Sequence, residues 1–199
     1  MEWCQVRSNP GRRRLLIDAA IEVLAHEGAR GLTFRTVDMQ AGVPAGTASN
    51  YFANRDALFL QIGGRIYERL LPGEEALAAT RSGERTRARY TQLMRELVDR
   101  VTAFGSGYLA LLELRLESMR RPALREVLTA RIREDIDANI ATHLDSGLPG
   151  DRTSVLTLYL AVNWLILERL TLPDLLTDEE VENIIDIGVR RALITDRDD

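Results

Sequence analysis

The sequence predicts an all-α protein, in which an N-terminal three-helix unit of the helix-turn-helix kind precedes a larger helical domain, roughly nine helices together. Three observations carry that prediction. The stretch Gly31 to Arg55 reads as two short helices about a glycine turn. Downstream, apolar residues recur at three- and four-residue spacing between breaks at Gly and Pro. The chain has 199 residues, 45% hydrophobic and 28% charged, enough to bury a core as one domain or two small ones. The boundary between the two parts falls at 56/57, giving 1–56 and 57–199.

The first helix covers residues 9 to 28: Asn9 can cap it, Pro10 suits its first position and Gly28 can end it. Leu16, Ala20, Val23 and Leu24 form its apolar face. Arg12, Arg13 and Arg14 occupy its first turn, where cations oppose the helix dipole, so a phosphate partner is expected for them. The alternative is a solvated arm.

Two short helices are predicted next, from Phe34 to Ala41 and from Ala45 to Phe52, joined at Gly42-Val43. Thr33 can cap the first, while the acidic partner of a capping box is replaced by Thr36. Val37, Ala41, Val43, Ala48 and Phe52 can share a small core. Arg35, Thr36, Ala45, Gly46, Thr47, Ser49, Asn50 and Tyr51 then face outward, small and hydrogen-bonding residues fit to approach a groove. Thr33, Thr47, Tyr51 and Arg55 are the expected phosphate contacts. Ala45, Gly46, Ser49 and Asn50 lie nearest the bases, and the Asn50 amide can pair with both N6 and N7 of adenine.

Thr33, Val37, Ala41-Gly42-Val43, Gly46-Thr47, Tyr51-Phe52, Asn54-Arg55 and Ala57-Leu58 together resemble the N-terminal signature of the tetracycline-repressor (TetR) family. Pro44 stands where many members carry a capping Ser, and Ala48-Ser49-Asn50 replaces their Leu-Tyr pair. The resemblance implies a dimeric regulator, with 1–56 a DNA-binding domain and 57–199 a ligand-binding and dimerisation domain, that leaves an inverted-repeat operator when a small molecule binds the C-terminal domain. It also implies that the helix after Asn54 swings to transmit that binding, and that Arg55 clamps a phosphate.

That helix, Arg55 to about Leu71, carries Leu58, Ile62, Ile66 and Leu70 inward; Gly63-Gly64 serves either as a hinge or as a close packing point. Pro72-Gly73 ends it, and the polar stretch to Arg85 reads as a short helix or loop. Residues 86 to 104 place Tyr90, Leu93, Met94, Leu97, Val101 and Phe104 inward, and Gly105-Ser106-Gly107 breaks the helix. A helix to about Arg120 follows with Tyr108, Leu111, Leu112, Arg115, Leu116 and Met119 on one face. Another, Pro122 to about Leu144, keeps a line at Leu124, Leu128, Ile132, Ile136 and Ile140 before Gly147, Pro149 and Gly150.

The last two helices run from about Arg152 to Leu170 and Asp178 to Ile194. More apolar surface than one chain needs points to a homodimer, with Val155, Tyr159, Val162, Val181, Ile184, Ile185 and Gly188 at its interface; a four-helix bundle is the family's arrangement. The expected effector is an unidentified small molecule, mostly apolar or aromatic, received by Tyr90, Met94, Leu97, Phe104, Tyr108, Leu112, Met119 and Trp164, with Arg115 leaving an acidic one open. Structural pairing of Arg115 with Glu113 or Glu117 is the competing reading.

Composition and spacing speak against catalysis. His26 and His143 are the only histidines, in separate helical units and without a second His or Cys at metal-ligand spacing, so no catalytic or metal site and no cofactor is expected. No phosphate loop, dinucleotide fingerprint or nucleophile elbow appears. The rival to a DNA-binding regulator is a helical small-molecule or partner-binding protein without specific DNA recognition.

All 26 basic residues are Arg, which a GC-rich genome explains. The net charge of -4 is uneven: residues 1–60 hold seven Arg against six acids, leaving nineteen against twenty-four for the rest. A single cysteine, Cys4, the absence of an apolar run in MEWCQVRSNPGRRR, and an apolar stretch from Val155 to Leu167 short of the roughly 20 residues a span needs lead to a cytoplasmic expectation with no membrane partner.

Overall fold

A computed structural model describes residues 9–70 and 85–194. Among the described residues there are eight α-helices: α1 (Pro10–Gly31), α2 (Phe34–Gln40), α3 (Arg55–Leu70), α4 (Arg87–Ala103), α5 (Gly105–Ser118), α6 (Pro122–Ser146), α7 (Arg152–Thr171) and α8 (Asp178–Ala192). The expected loop from Pro72 to Arg85 lies almost wholly outside them. The described residues pack as two compact units, one of 9–70 with 105–131 and one of 85–104 with 132–194. The packing boundary in this part of the chain falls after Leu70 rather than at 56/57.

In the first unit, Asn9 caps α1 by accepting the Arg12 N–H at 3.0 Å, and Pro10 opens the helix. Gly28 (φ 67°, ψ −176°) breaks it, leaving Ala29 to Gly31 as a displaced last turn. The helix buries Leu16, Ile17, Ala20, Ile21, Val23 and Leu24 against α2, α3 and α5. A bidentate ion pair, Arg65 Nε to Asp18 Oδ1 at 2.9 Å and Nη2 to Oδ2 at 3.1 Å, fastens α3 to α1. Helix α3 runs unbroken through Gly63-Gly64. A Cβ at Gly63 would meet Leu128 at 3.5 Å and Leu114 at 3.8 Å, so this glycine is a packing point.

Helix α5 departs from its predicted face. Gly105-Ser106-Gly107 form its first turn, because the break falls one residue earlier, at Phe104 (φ −104°, ψ 46°). Gly107, Tyr108, Ala110, Leu111 and Leu114 are buried, whereas Arg115, Leu116 and Met119 are exposed, Met119 at 76%. The buried face is the one turned to α1 and α3, and the helix stops at Ser118 before Met119 could join it. Leu124 and Leu128 of α6 are buried in the same unit.

In the second unit α4 packs on α7 and α8, and those two pack on each other. The α4 residues buried there are Thr91, Val98 and Val101, while the predicted Tyr90, Met94, Leu97 and Phe104 stay half-buried on the neighbouring face. Asp151 caps α7 and a Thr177–Glu180 capping box starts α8. By length and composition α7 is apolar enough to cross a membrane, contrary to the shorter sequence reading. It covers one face with Val155, Leu158, Val162, Leu165 and Ile166, and leaves Leu160 and Trp164 exposed.

That burial revises the predicted interface. Val155, Val162, Val181 and Ile185 are 2–4% exposed within one chain, so they make the α7–α8 core. Gly188 faces Leu158, whose Cδ1 would lie 3.1 Å from an added Cβ, and the Tyr159 hydroxyl donates to Asp135 Oδ2 at 2.9 Å. Only Ile184 of the predicted set is exposed; Ile187, Leu160 and Trp164 are exposed with it. One apolar helix face serves the chain's own core first, and the opposite face is what remains.

Candidate nucleic-acid interface

The interface is built on α2 and the segment after it. Thr33 caps α2, its hydroxyl accepting the Thr36 N–H at 3.1 Å, and the Thr36 hydroxyl accepts the Thr33 N–H at 2.9 Å. The capping box is thus closed by threonine, which the lack of an acid at position 36 had hidden. Gly42 (φ 62°) and Gly46 (φ 86°) turn the chain through left-handed backbone conformations that a side chain would oppose.

The second helix is not a regular α-helix. From Ala45 to Phe52 the backbone makes successive turns and one 3-10 turn, Ala48–Asn50. It has little internal capping of its own and is held instead by Asp38, a buried carboxylate at 2% exposure. Asp38 Oδ2 accepts the Gly46 N–H and Oδ1 accepts the Ala48 N–H, both at 2.7 Å. Its negative charge therefore answers the positive end of the turn it faces. Sequence reasoning missed this residue. The signal was present: Phe34, Val37, Asp38 and Ala41 fall on one helical face, and an acid on an apolar face must have donors.

Behind this segment, Tyr51 and Phe52 are buried. Arg13 is half-buried, its guanidinium 5.4 Å from the Phe52 ring centre and 5.9 Å from that of Tyr51, and it donates to Gln61 Oε1 at 2.8 Å. Arg13 and Tyr51 thus make an internal stack, unlike the open phosphate contacts predicted. Arg55 also turns inward, donating to the Ala29 carbonyl and lying 5.2 Å over Phe59.

What remains open to solvent is Arg12, Arg14, Thr33, Arg35, Pro44, Ala45, Gly46, Ser49 and Asn50, with Thr36 and Thr47 half-buried. Met39, 72% exposed, and Gln40 join them unpredicted. The Thr36 hydroxyl is spent on the Gly31 carbonyl and that of Thr47 on the Pro44 carbonyl. Asn50 Nδ2 gives one hydrogen to the Gly46 carbonyl at 3.0 Å, which fixes the amide and leaves its second N–H and its carbonyl oxygen for a partner. Cations at the rim and small polar groups at the centre suit a polyanion with readable edges. Among the described residues no group of three His, Cys, Asp or Glu could hold a metal ion.

Two family patterns match this chain. Residues 16–62 match the pattern described as bacterial regulatory proteins, tetR family, and residues 85–193, more than half of the chain, match the tetracyclin repressor-like C-terminal domain. Curated relatives include the HTH-type transcriptional regulator BetI of Agrobacterium fabrum, 33% identical over 57 residues, which cover 29% of this chain and 28% of that protein. BetI of Rhizobium meliloti is 29% identical over 91 residues, covering 46% of this chain and 44% of that one. The chain thus spans less than half the length of these relatives.

Solved structures cover nearly all of it. A TetR-family regulator from Mesorhizobium loti superposes with a TM-score of 0.74 at 16% identity, covering 94% of this chain and 98% of that one. The multidrug binding protein EbrR, complexed with imidazole, gives 0.64 at 28% identity over 96% of this chain and 100% of that one. EbrR has also been solved with malachite green and with ethidium.

Proposed function

Because the chain belongs to the tetracycline-repressor family, we propose that it is a sequence-specific DNA-binding transcription regulator that represses from an inverted-repeat operator and is released by a small molecule. The observation that carries this reading is the segment Pro44 to Asn50: small, polar and exposed, fixed from within by Asp38 and flanked by the exposed Arg12, Arg14 and Arg35. Arg12, Thr33 and Arg35 would meet phosphates, and Ala45, Gly46, Ser49 and Asn50 the base edges. Arg55 and Arg13 support the segment from behind.

Two such segments need two chains, with half-sites on one side of the duplex roughly 34 to 36 Å apart. The second copy would cover Leu160 and Trp164 of α7 and Ile184 and Ile187 of α8, the exposed apolar residues of the last two helices. The effector would meet the half-buried face of α4, with Tyr90, Met94, Leu97 and Phe104; EbrR, with its aromatic ligands, favours an aromatic compound. Arg115 is exposed and is no longer the anchor for an acidic one. A regulator of this kind works in the cytoplasm.

Selection of genomic fragments by the purified protein, followed by titration of the winner at several salt concentrations, tests the reading. A short inverted repeat bound tightly with a steep salt slope is the expected result. Sequence-indifferent recovery would overturn it in favour of a ligand or partner-binding protein that does not read DNA.

A further inference from the structure

Helices α1 and α5 are joined by two hydrogen bonds far apart in the sequence. Ser106 Oγ donates to Glu22 Oε1 at 2.8 Å, and seven residues further along both helices the Ala29 N–H donates to Glu113 Oε2 at 3.1 Å. The helices therefore lie side by side in the same direction, two turns apart at the two bonds. The second bond falls on the break in α1, where Gly28 leaves the helical conformation and frees the next N–H from any i−4 partner. A Cβ on Gly28 would stand 3.3 Å from Glu113 Oε2, so the carboxylate sits against the break itself.

Ala29 is held from its other side as well. Its carbonyl accepts from Arg55, the first residue of α3, whose Nε is buried without an acceptor and whose guanidinium rests on Phe59. Two residues on, the Gly31 carbonyl accepts the Thr36 hydroxyl at 2.7 Å, which ties the same displaced turn to the start of α2. One residue, through its two flanking peptide groups, thus receives α5 through Glu113 and α3 through Arg55, and passes their positions to the capping box of the reading unit.

Resting on the DNA-binding function proposed above, we infer that Glu113 is a positioning residue for DNA recognition: through Ala29 it sets the stance of α2 and the reading segment relative to α1. Any change that shifts α5 along α1 is felt first at the Ala29 N–H. The acid makes no contact with DNA in this scheme.

Charge and position predict opposite results, which makes the test sharp. Removing an acid from a DNA-binding unit should, by charge alone, tighten binding to all DNA. If Glu113 positions the unit, Glu113→Ala in the full chain weakens binding to the selected operator about tenfold, the worth of one charge-assisted hydrogen bond, while binding to random-sequence DNA is unchanged or tighter. Glu113→Gln keeps an acceptor for Ala29 and restores operator binding to within about twofold of wild type.

Amide exchange at Ala29, measured on the DNA-free protein, accelerates in Glu113→Ala and stays slow in Glu113→Gln. Operator binding by Glu113→Ala as tight as wild type, or an Ala29 exchange rate unchanged by that substitution, would overturn the inference. If wild type itself reads no sequence, the DNA-binding function fails on its own evidence and the exchange rates still decide whether Glu113 holds Ala29.

Discussion

Asp38 and Ala48 are joined by a buried hydrogen bond of 2.7 Å, carboxylate to backbone N–H, between α2 and the 3-10 turn that follows it. With the companion bond to Gly46 it is the main polar tie between the scaffold and the exposed segment. Asp38→Ala leaves two N–H groups without their acceptor, and an unfolding loss of about 3 kcal/mol is expected by denaturant titration. Asp38→Asn retains one acceptor oxygen and should lose less. Operator binding should fall in the same order.

Base reading and phosphate anchoring separate by residue. Asn50→Ala should relax preference among operator variants, costing about 1–3 kcal/mol against the best site and little against random DNA. Arg12→Ala should weaken binding to every sequence alike and reduce the salt slope by about 1. Equal loss of specificity in both would reverse the assignment.

The exposed apolar set on α7 and α8 should hold the dimer. Trp164→Glu places a charge on a residue 64% exposed in one chain, so the monomer fold is expected to survive. Sedimentation should show a monomer, and operator affinity should fall by about two orders of magnitude or more as two half-sites cease to be bound together. A Val162→Ala substitution, by contrast, opens the chain's own core and should show as lost stability of about 1–3 kcal/mol.

Asp135 gives a pH signature. Burial raises its carboxyl above the usual range, against the opposing pull of its bonds from Tyr159 and Asn139. A raised acid means that the folded chain binds more protons than the unfolded one, so this group favours folding at low pH and that contribution is lost as pH rises through the folded value. Asp135→Asn should therefore raise the Tm at neutral pH, and the gain should shrink as the solution is acidified into the carboxylate range.

Helix positions and their ends were legible from the sequence because they depend on local chemistry: Asn9 and Pro10 begin α1, Gly28 breaks it and Gly42 makes the turn. Which face of each helix is buried was less legible. Periodicity located apolar residues on α4 and α7 but could not say which neighbour takes which side, and so Val155 and Val162 went to the partner and the buried Thr91 was not singled out. At the DNA-reading segment the exposed residues could be named, while Asp38, Arg13 and Arg55 were obscured. Each acts through partners 8 to 48 residues away, Gly46 and Ala48, Gln61, and Ala29, and no spacing rule carries that distance.

The bonds from Glu22 to Ser106 and from Ala29 to Glu113 each join residues 84 positions apart. They have a meaning for synthesis. A ribosome that has released residues 1–70 has made every residue proposed to face the groove but neither of the α5 residues that brace α1 and its break, nor Leu114 and Leu128 that close over Gly63. The reading unit completes its own packing only after residue 131 has emerged, so nascent chains and early truncation products are poor competitors for the operator. Chain order alone delays DNA binding until most of the regulator exists.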